Sequence, residues 1–288
     1  MYINSSSSHK REEPERGVLY LVGTPIGNLN DISSRALNIL KNVSIIACED
    51  TRQTKKLTNK FEISNRLISF NKHNSFNRIP KIINYLREGK SVALVSDAGM
   101  PSICDPGEDL VKNVKLNKLE TICVPGPSAA LTALISSGFP ASKFIFEGFL
   151  PKKKKEREKI LLEISKNEKT TIVFESPHRI NQLLIELKKY CGGQREINVS
   201  RELTKKFEEH VNNQIDKVID SFKDREIIGE ITIVIKGQDK SNKEDFNKSI
   251  LKKELEELID AGLSLSAASK YLAKKKNLKR NSIYNLYQ

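Results

Sequence analysis

Val92–Gly107 reads VALVSDAGMPSICDPG, and the fold of the chain turns on it. Val92 to Ser96 form an apolar run of the kind a buried parallel strand needs. The run stops at Asp97-Ala98-Gly99, and prolines and glycines punctuate the chain up to Gly107. Glu108-Asp109-Leu110-Val111 then reads as a helix opening, with Asp105 as N-cap, Pro106 as first helical residue and Glu108 as the reciprocal carboxylate. Strand-to-helix connections usually need about two to six residues. This one is far longer, and it leaves the carboxyl end of its strand, where open α/β sheets bind ligands. An ordinary connection is the plainer alternative.

Outward from this stretch, strand and helix signals alternate from Gly17 onward. Val18–Thr24, Ser44–Cys48, Leu67–Phe70 and Thr121–Val124 read as strands. Helices are predicted over Asp31–Asn42, from Thr51, near Arg78–Arg87, after Asp105, and over Ala129–Ser137, closed by Gly138. This pattern predicts an α/β fold, a largely parallel sheet with helices on both faces. Phe139-Pro140 reads as the hinge to a second set. Its strands are Lys143–Phe149, Thr170–Phe174, Glu196–Ser200 and Ile227–Lys236; its helices cover Lys152–Ser165 and run from a Ser176-Pro177 cap to about Lys189. The domains are then an arm over 1–16, α/β units over 17–138 and 139–240, and a linker with a helical tail over 241–288. Leu251–Ala261, Ser264–Lys274 and Ser282–Tyr287 make that tail resemble a small helix-turn-helix bundle, marginal unless docked.

Composition narrows the function. A net charge of +13 over 288 residues favours a polyanionic partner through counterion release, although lysine is abundant throughout. Tryptophan is absent and aromatics make up 6%, which argues against a surface built on base stacking. No apolar stretch approaches the ~20 residues of a membrane span. MYINSSSSHKREEPER has no apolar core and reads as a disordered arm, not a signal peptide. Cys48, Cys104, Cys123 and Cys191 show neither C-x-x-C nor metal-like spacing, so buried reduced thiols, a cytoplasmic location and no metal are expected.

Three glycine- and proline-bearing loops end strands of one sheet: Gly23–Asn28 (GTPIGN), Asp97–Pro101 (DAGMP) and Val124–Ala129 (VPGPSA). Glycine lets backbone approach a ligand closely and proline stiffens the turn, so the three could converge on one crevice or be three tight turns. None matches a dinucleotide or Walker pattern. Together, YLVGTPIGNL, EDTR (Glu49–Arg52), SDAGMPSICDPG, PGPSA, FEGFLPKK, ESPHR (Glu175–Arg179), SREL (Ser200–Leu203) and GEITIVIKG are colinear over about Gly17–Gly237. In that order they resemble the bacterial 16S rRNA (cytidine-2′-O)-methyltransferases, of the tetrapyrrole-methylase-like class of S-adenosylmethionine enzymes.

The resemblance implies two α/β domains with S-adenosylmethionine in the cleft between them, a homodimer, and 16S rRNA or the 30S subunit as substrate. It assigns Pro25, Ile26, Gly27, Asp97, Ala98, Gly99, Met100, Ser128 and Ala129 to the methionine and ribose parts, and Thr232 and Ile233 to the adenine. Met100 and Cys104 depart from the threonine and serine of many relatives. Methyl transfer from a sulfonium to a ribose hydroxyl demands alignment, which contributes roughly 7–11 kcal/mol, and a positioned base adds about 10²–10⁴-fold. Glu49, Asp50 and His73 are base candidates; capping of the helix at Thr51 is the alternative for the acidic pair, and a structural histidine for His73. Lys152, Lys153, Lys154, Lys155 and Arg157 lead the expected RNA contacts, followed by Arg52, Arg179, Arg201 and Lys205. A solvated helix face is the alternative for the lysine run. Basic tail residues Lys270, Lys274–Lys276, Lys279 and Arg280 fit the same role. A tetrapyrrole-type small-molecule methyltransferase and a non-catalytic RNA-binding protein are the rival readings.

Overall fold

The computed structural model describes residues 12–238, 251–252, 254–276, 278 and 280–287; the expected linker and most of the arm lie outside them. The first sheet contains β1 (Val18–Val22), β2 (Ile45–Cys48), β3 (Arg66–Ser69), β4 (Val92–Val95) and β5 (Glu120–Val124), in the order β3-β2-β4-β1-β5. All its pairings are parallel. β1, β2 and β4 lie inside, so both of their faces are covered and the sequence there is apolar without alternation. Val18, Tyr20, Val22, Ala93 and Val95 pack with Ala36, Ile39 and Leu40 of helix α1 (Ser34–Asn42). Leu19, Ala47, Val92 and Leu94 pack on the other face with α3 (Ser75–Arg87) and α4 (Glu108–Leu116). Each fully buried aliphatic side chain contributes about 1.5–3 kcal/mol.

The expected helix after Asp105 begins at Glu108, with Gly107 and not Asp105 at the cap position and no side-chain cap bond. Asp31–Asn42 divides into a 3₁₀ turn, Leu29–Asp31, and α1, because the Ser33 hydroxyl accepts from the Ala36 amide at 3.0 Å and starts a new helix. The arm is held where it meets the sheet: Glu13 bridges Arg35 at 2.5 Å, and the Glu15 amide donates to the Tyr20 hydroxyl. α2 spans Thr51–Lys60.

Helix α5 (Ala129–Ser137) ends at Gly138, whose φ of 70° is the left-handed cap that glycine adopts freely. It crosses from the first sheet to the second, where Ala130, Ala133 and Leu134 pack with Ile172 and Val234. The second sheet holds β6 (Phe144–Phe149), β7 (Thr170–Glu175), β8 (Glu196–Arg201), β9 (Glu209–Gln214) and β10 (Ile231–Ile235), in the order β6-β7-β10-β8-β9. Only β6 and β7 pair in parallel; the other neighbours are antiparallel, so this sheet is mixed. Helices α6 (Lys154–Lys166), α7 (Ile180–Cys191) and α8 (Ile215–Phe222) cover its outer face. α7 starts later than the Ser176-Pro177 cap predicted, and β10 is shorter than Ile227–Lys236.

The tail forms helices α9 (254–260), α10 (Leu265–Lys276) and α11 (Arg280–Tyr284) around buried Leu255, Ala268, Leu272, Ala273 and Ile283. All four cysteines are free, but only Cys48 is buried; Cys104 and Cys123 are exposed and Cys191 is half-buried, contrary to the expected buried thiols. Cys123 sits on β5, an edge strand of its sheet, which leaves part of it uncovered.

Candidate functional site

The glycine loops meet at the carboxyl end of the first sheet because backbone replaces side chains there. Thr24 and Gly99 exchange backbone bonds at 2.9 and 3.1 Å, tying the loop after β1 to the loop after β4. The Gly23 and Gly126 backbones cross so closely that a Cβ on Gly126 would stand 2.8 Å from the Gly23 Cα. Any side chain at that crossing would force the loops apart.

Between these loops and the second sheet lies a cavity of about 440 Å³, within the range of small-molecule sites. The first half contributes Ile26, Glu49, Asp97–Met100, Ile103–Asp105 and Ser128–Ala130; the second contributes Phe149, Phe174–Pro177 and Gly229–Thr232. Phe174 is flanked edge-on by Phe146 and Phe149, at 5.0 and 5.6 Å between ring centroids. Such edge-to-face pairs are favourable beyond the area they bury. The cradle suits S-adenosylmethionine, with apolar walls, loop backbone free of side chains and carboxylates for a cationic centre. Residues Ile26, Asp97, Ala98, Gly99, Met100, Ser128, Ala129 and Thr232 would hold it.

Three expected cofactor contacts lie elsewhere. Pro25 is buried beside the lining, not part of it. Gly27 faces the second half, where a Cβ would meet the Lys205 side chain at 2.5 Å. Ile233 is fully buried on the far face of β10, among the residues under α6, α7 and α8. Successive strand residues point to opposite faces, so Thr232 toward the cavity puts Ile233 away from it. Met100 lies over Gly23, where a Cβ would meet its sulfur at 2.6 Å.

The acidic candidates separate sharply. Asp50 caps α2, accepting from the Arg52 amide at 2.8 Å and pairing with the Arg52 guanidinium at 2.7 Å. Those bonds hold its carboxyl at a pKa of about 2. Glu49 lines the cavity, and burial, with the nearby charge of Asp97, pushes its pKa up. Asp97 accepts from the Asp50 amide at 3.1 Å and is also raised, chiefly by burial. Asp105 is pushed up to about 6 by burial and then by the charges of Glu49 and Asp97. Sequence reading missed Asp105 as a cavity group because a capping signature explained it. His73 is exposed, outside the lining, with its amide on the Asn71 side chain at 3.1 Å.

The basic candidates also divide. Lys152, Lys153, Lys154 and Lys155 are exposed where α6 begins, and Arg52 is open to solvent. Arg157 is buried, 5% exposed, and pairs with Glu186 at 2.7 Å and Glu175 at 3.4 Å, so it supports the cavity wall and cannot meet RNA. Arg179 bonds Glu175 at 2.8 Å and the Leu150 carbonyl at 3.1 Å. Arg201 pairs with Glu209, and Lys205 with Glu202 and Glu230. In the tail, Lys270, Lys274, Lys275, Lys276 and Arg280 are exposed, while Lys279 lies outside the described residues.

The fold and the sequence both have relatives. Residues 18–219 match the tetrapyrrole (corrin/porphyrin) methylases. A Bacillus subtilis protein named ribosomal RNA small subunit methyltransferase I is 42% identical over 95% of this chain and 94% of its own length. The protein of the same name from Synechocystis is 40% identical over 94% and 97%, and that from Thermotoga maritima is 46% identical over 77% and 100%. Among solved structures, a cobalt precorrin-4 methyltransferase of cobalamin biosynthesis superposes with a TM-score of 0.59 at 17% identity, over 76% of this chain and 95% of its own. Uroporphyrin-III C-methyltransferase from Thermus thermophilus, solved with S-adenosyl homocysteine, superposes at 0.53 and 16% identity, over 75% and 96%. The paired sheets, the cavity between them and these end-to-end likenesses have one conclusion: this chain belongs to the tetrapyrrole methylase family, alongside the proteins named ribosomal RNA small subunit methyltransferase I.

Proposed function

We propose that this protein transfers a methyl group from S-adenosylmethionine to the ribose 2′-hydroxyl of a cytidine in the decoding centre of 16S rRNA. The observation that carries the reading is the 40–42% identity, over 94–95% of the chain, to proteins named ribosomal RNA small subunit methyltransferase I. The base and the 2′ position rest on the motif resemblance. When bound, the cofactor supplies an electrophilic methyl group on a sulfonium.

The chain's own residues align and shield. Phe149, Phe174, Ile103 and Met100 form apolar wall against water, and the loops fix orientation through backbone. Glu49 is the preferred proton acceptor of the sequence candidates, since it faces the cavity with a carboxyl more basic than usual. Asp50 is too acidic and engaged with Arg52. Lys152–Lys155 with Arg52 would meet rRNA phosphates, helped at the rim by Arg179, Arg201 and Lys205. The functional units would be the α/β domains over 17–138 and 139–240, with the linker and tail over 241–288. A homodimer is supported by exposed Leu131 and Ile135 on α5 and by exposed Phe207. A location with the ribosome in the cytoplasm follows from the substrate. No helix among the described residues is long and apolar enough to cross a membrane.

The test is methyl transfer from labelled S-adenosylmethionine to purified small subunits that lack the modification, followed by mapping. A single 2′-O-methylcytidine in the decoding centre is the expected result. Saturable cofactor binding without transfer would sink the rRNA assignment in favour of a small-molecule substrate.

A further inference from the structure

We propose that Glu49, Asp97 and Asp105 make the cavity select its occupant by charge, retaining the sulfonium-bearing cofactor and releasing the neutral thioether left after transfer. The proposal rests on the cofactor assigned above.

The chain carries a net charge of +13, yet its cavity is lined by Glu49, Asp97, Asp105, Glu175 and Glu230. Among the described residues, no lysine, arginine or histidine joins that lining. Two of these carboxylates are matched by protein partners. Glu175 takes the Arg157 and Arg179 guanidiniums and the Ser176 amide, and Glu230 takes Lys205.

The other three come from separate places in the first half: the end of β2, the residues just after β4, and the loop leading to α4. Asp97 has the Asp50 amide, while Asp50 itself is paired with Arg52. Lys72 of the β3–α3 loop and Arg52 are the nearby cations, both outside the lining: the Lys72 ammonium bonds the Cys104 carbonyl at 3.3 Å, and Arg52, which also acts on Asp97, is held by Asp50. The Cys104 thiol beside Asp105 is pushed up by partial desolvation and by the Asp105 charge, so it stays neutral and adds no charge to the site. All three carboxylates are partly desolvated, and no lining cation offsets the trio. The charge of Asp97 adds to the rise at Glu49, and those of Glu49 and Asp97 to the rise at Asp105, whose hydrogen-bond partner is Ser96.

S-adenosylmethionine and its demethylated product share every group except the methyl that makes sulfur cationic. A cation beside the trio favours its ionised form, so it must displace whatever proton Asp105 holds. Affinity for the sulfonium should therefore rise as pH climbs through about 6, the titration range of Asp105, whereas the thioether, left with only the α-ammonium that both compounds carry, gains less from that ionisation.

Isothermal titration calorimetry on the full chain tests this, using S-adenosylmethionine, S-adenosylhomocysteine and sinefungin between pH 5 and pH 7 in two buffers of different ionisation enthalpy. The expected result is a preference for sulfonium over thioether that grows several-fold across this range. Proton release near pH 6 should be larger for the sulfonium or sinefungin, whose amine supplies a comparable cation, than for the thioether. Asp105→Asn and Glu49→Gln should each shrink the sulfonium preference, and Asp105→Asn should flatten its pH dependence. A preference that is constant with pH overturns the proposal, and the wild-type series reads this even if a variant fails to fold. Failure of all three compounds to bind overturns the cofactor assignment as well, which separates the two outcomes.

Discussion

Asp105 shows how one residue can be read correctly for its neighbourhood and wrongly for its job. Its place ahead of Pro106 and Glu108 has every mark of a helix cap, but the helix waits for Gly107 and the carboxyl turns into the cavity. Local sequence carries no sign of the Glu49 and Asp97 charges that arrive from other strands. Because the folded-state pKa stands at about 6, above the ordinary aspartate value of 3.8, folding favours the protonated form; the penalty builds as pH rises between these two values and is fully present above the higher one. Asp105→Asn should therefore raise Tm at pH 7.5 by the equivalent of about 1 kcal/mol, after discounting for solvent screening. The gain should fade as pH drops through 6 toward 4. A variant no more stable than wild type at pH 7.5 would contradict this. Gly126→Ala tests the crossing of the loops: with the Gly23 backbone 2.8 Å from the new methyl, the loops must part. Cofactor affinity measured by calorimetry should fall at least about tenfold, in line with a loss of 1.4 kcal/mol or more.

At the level of elements, long apolar periodicities were legible and polar edges were not. α5 matches its expected bounds because small apolar residues and a terminal glycine mark both ends. β9, EHVNNQ, escaped notice since an antiparallel edge strand half exposed to solvent needs no apolar alternation. Its Asn212 instead bonds the Ser137 carbonyl at the end of α5. α6 posed the opposite problem: in KKKKEREK a dense run of charge conceals that Arg157 turns inward while the lysines stay outside. Arg157→Ala should take one of two guanidinium partners from buried Glu175 and the only one from half-buried Glu186, and destabilise the protein by roughly 1.5–3 kcal/mol in chemical denaturation. Arg157→Ala should leave the salt dependence of RNA binding intact. Alanine at all of Lys152–Lys155 should do the reverse, weakening RNA binding and flattening its salt slope without moving Tm or cofactor affinity. An unchanged slope would remove the lysines from the interface.

Across the whole molecule, the alternation of strands and helices announced two α/β sets, and the first sheet is parallel throughout, as that pattern requires. The second sheet's mixed order was not legible, because antiparallel pairing of β7, β10 and β8 uses the same apolar strands that a parallel sheet would. Every lining residue of the cavity lies between Ile26 and Thr232, and the tail keeps a small core of its own. Truncation after Gln238 should therefore preserve cofactor affinity within a few-fold, while lowering methyl transfer to small subunits if the tail's lysines grip RNA. Equal transfer by both chains would deny the tail that role.

The assembly of the cavity from both sheets also sets an order of events during synthesis. Translation delivers Ile26 early and Thr232 only when about four-fifths of the chain has been made. Until β10 emerges and slots between β7 and β8, the nascent first half presents a cradle with one wall. The cavity is thus completed late, and a chain stalled midway should hold S-adenosylmethionine more weakly than the finished protein.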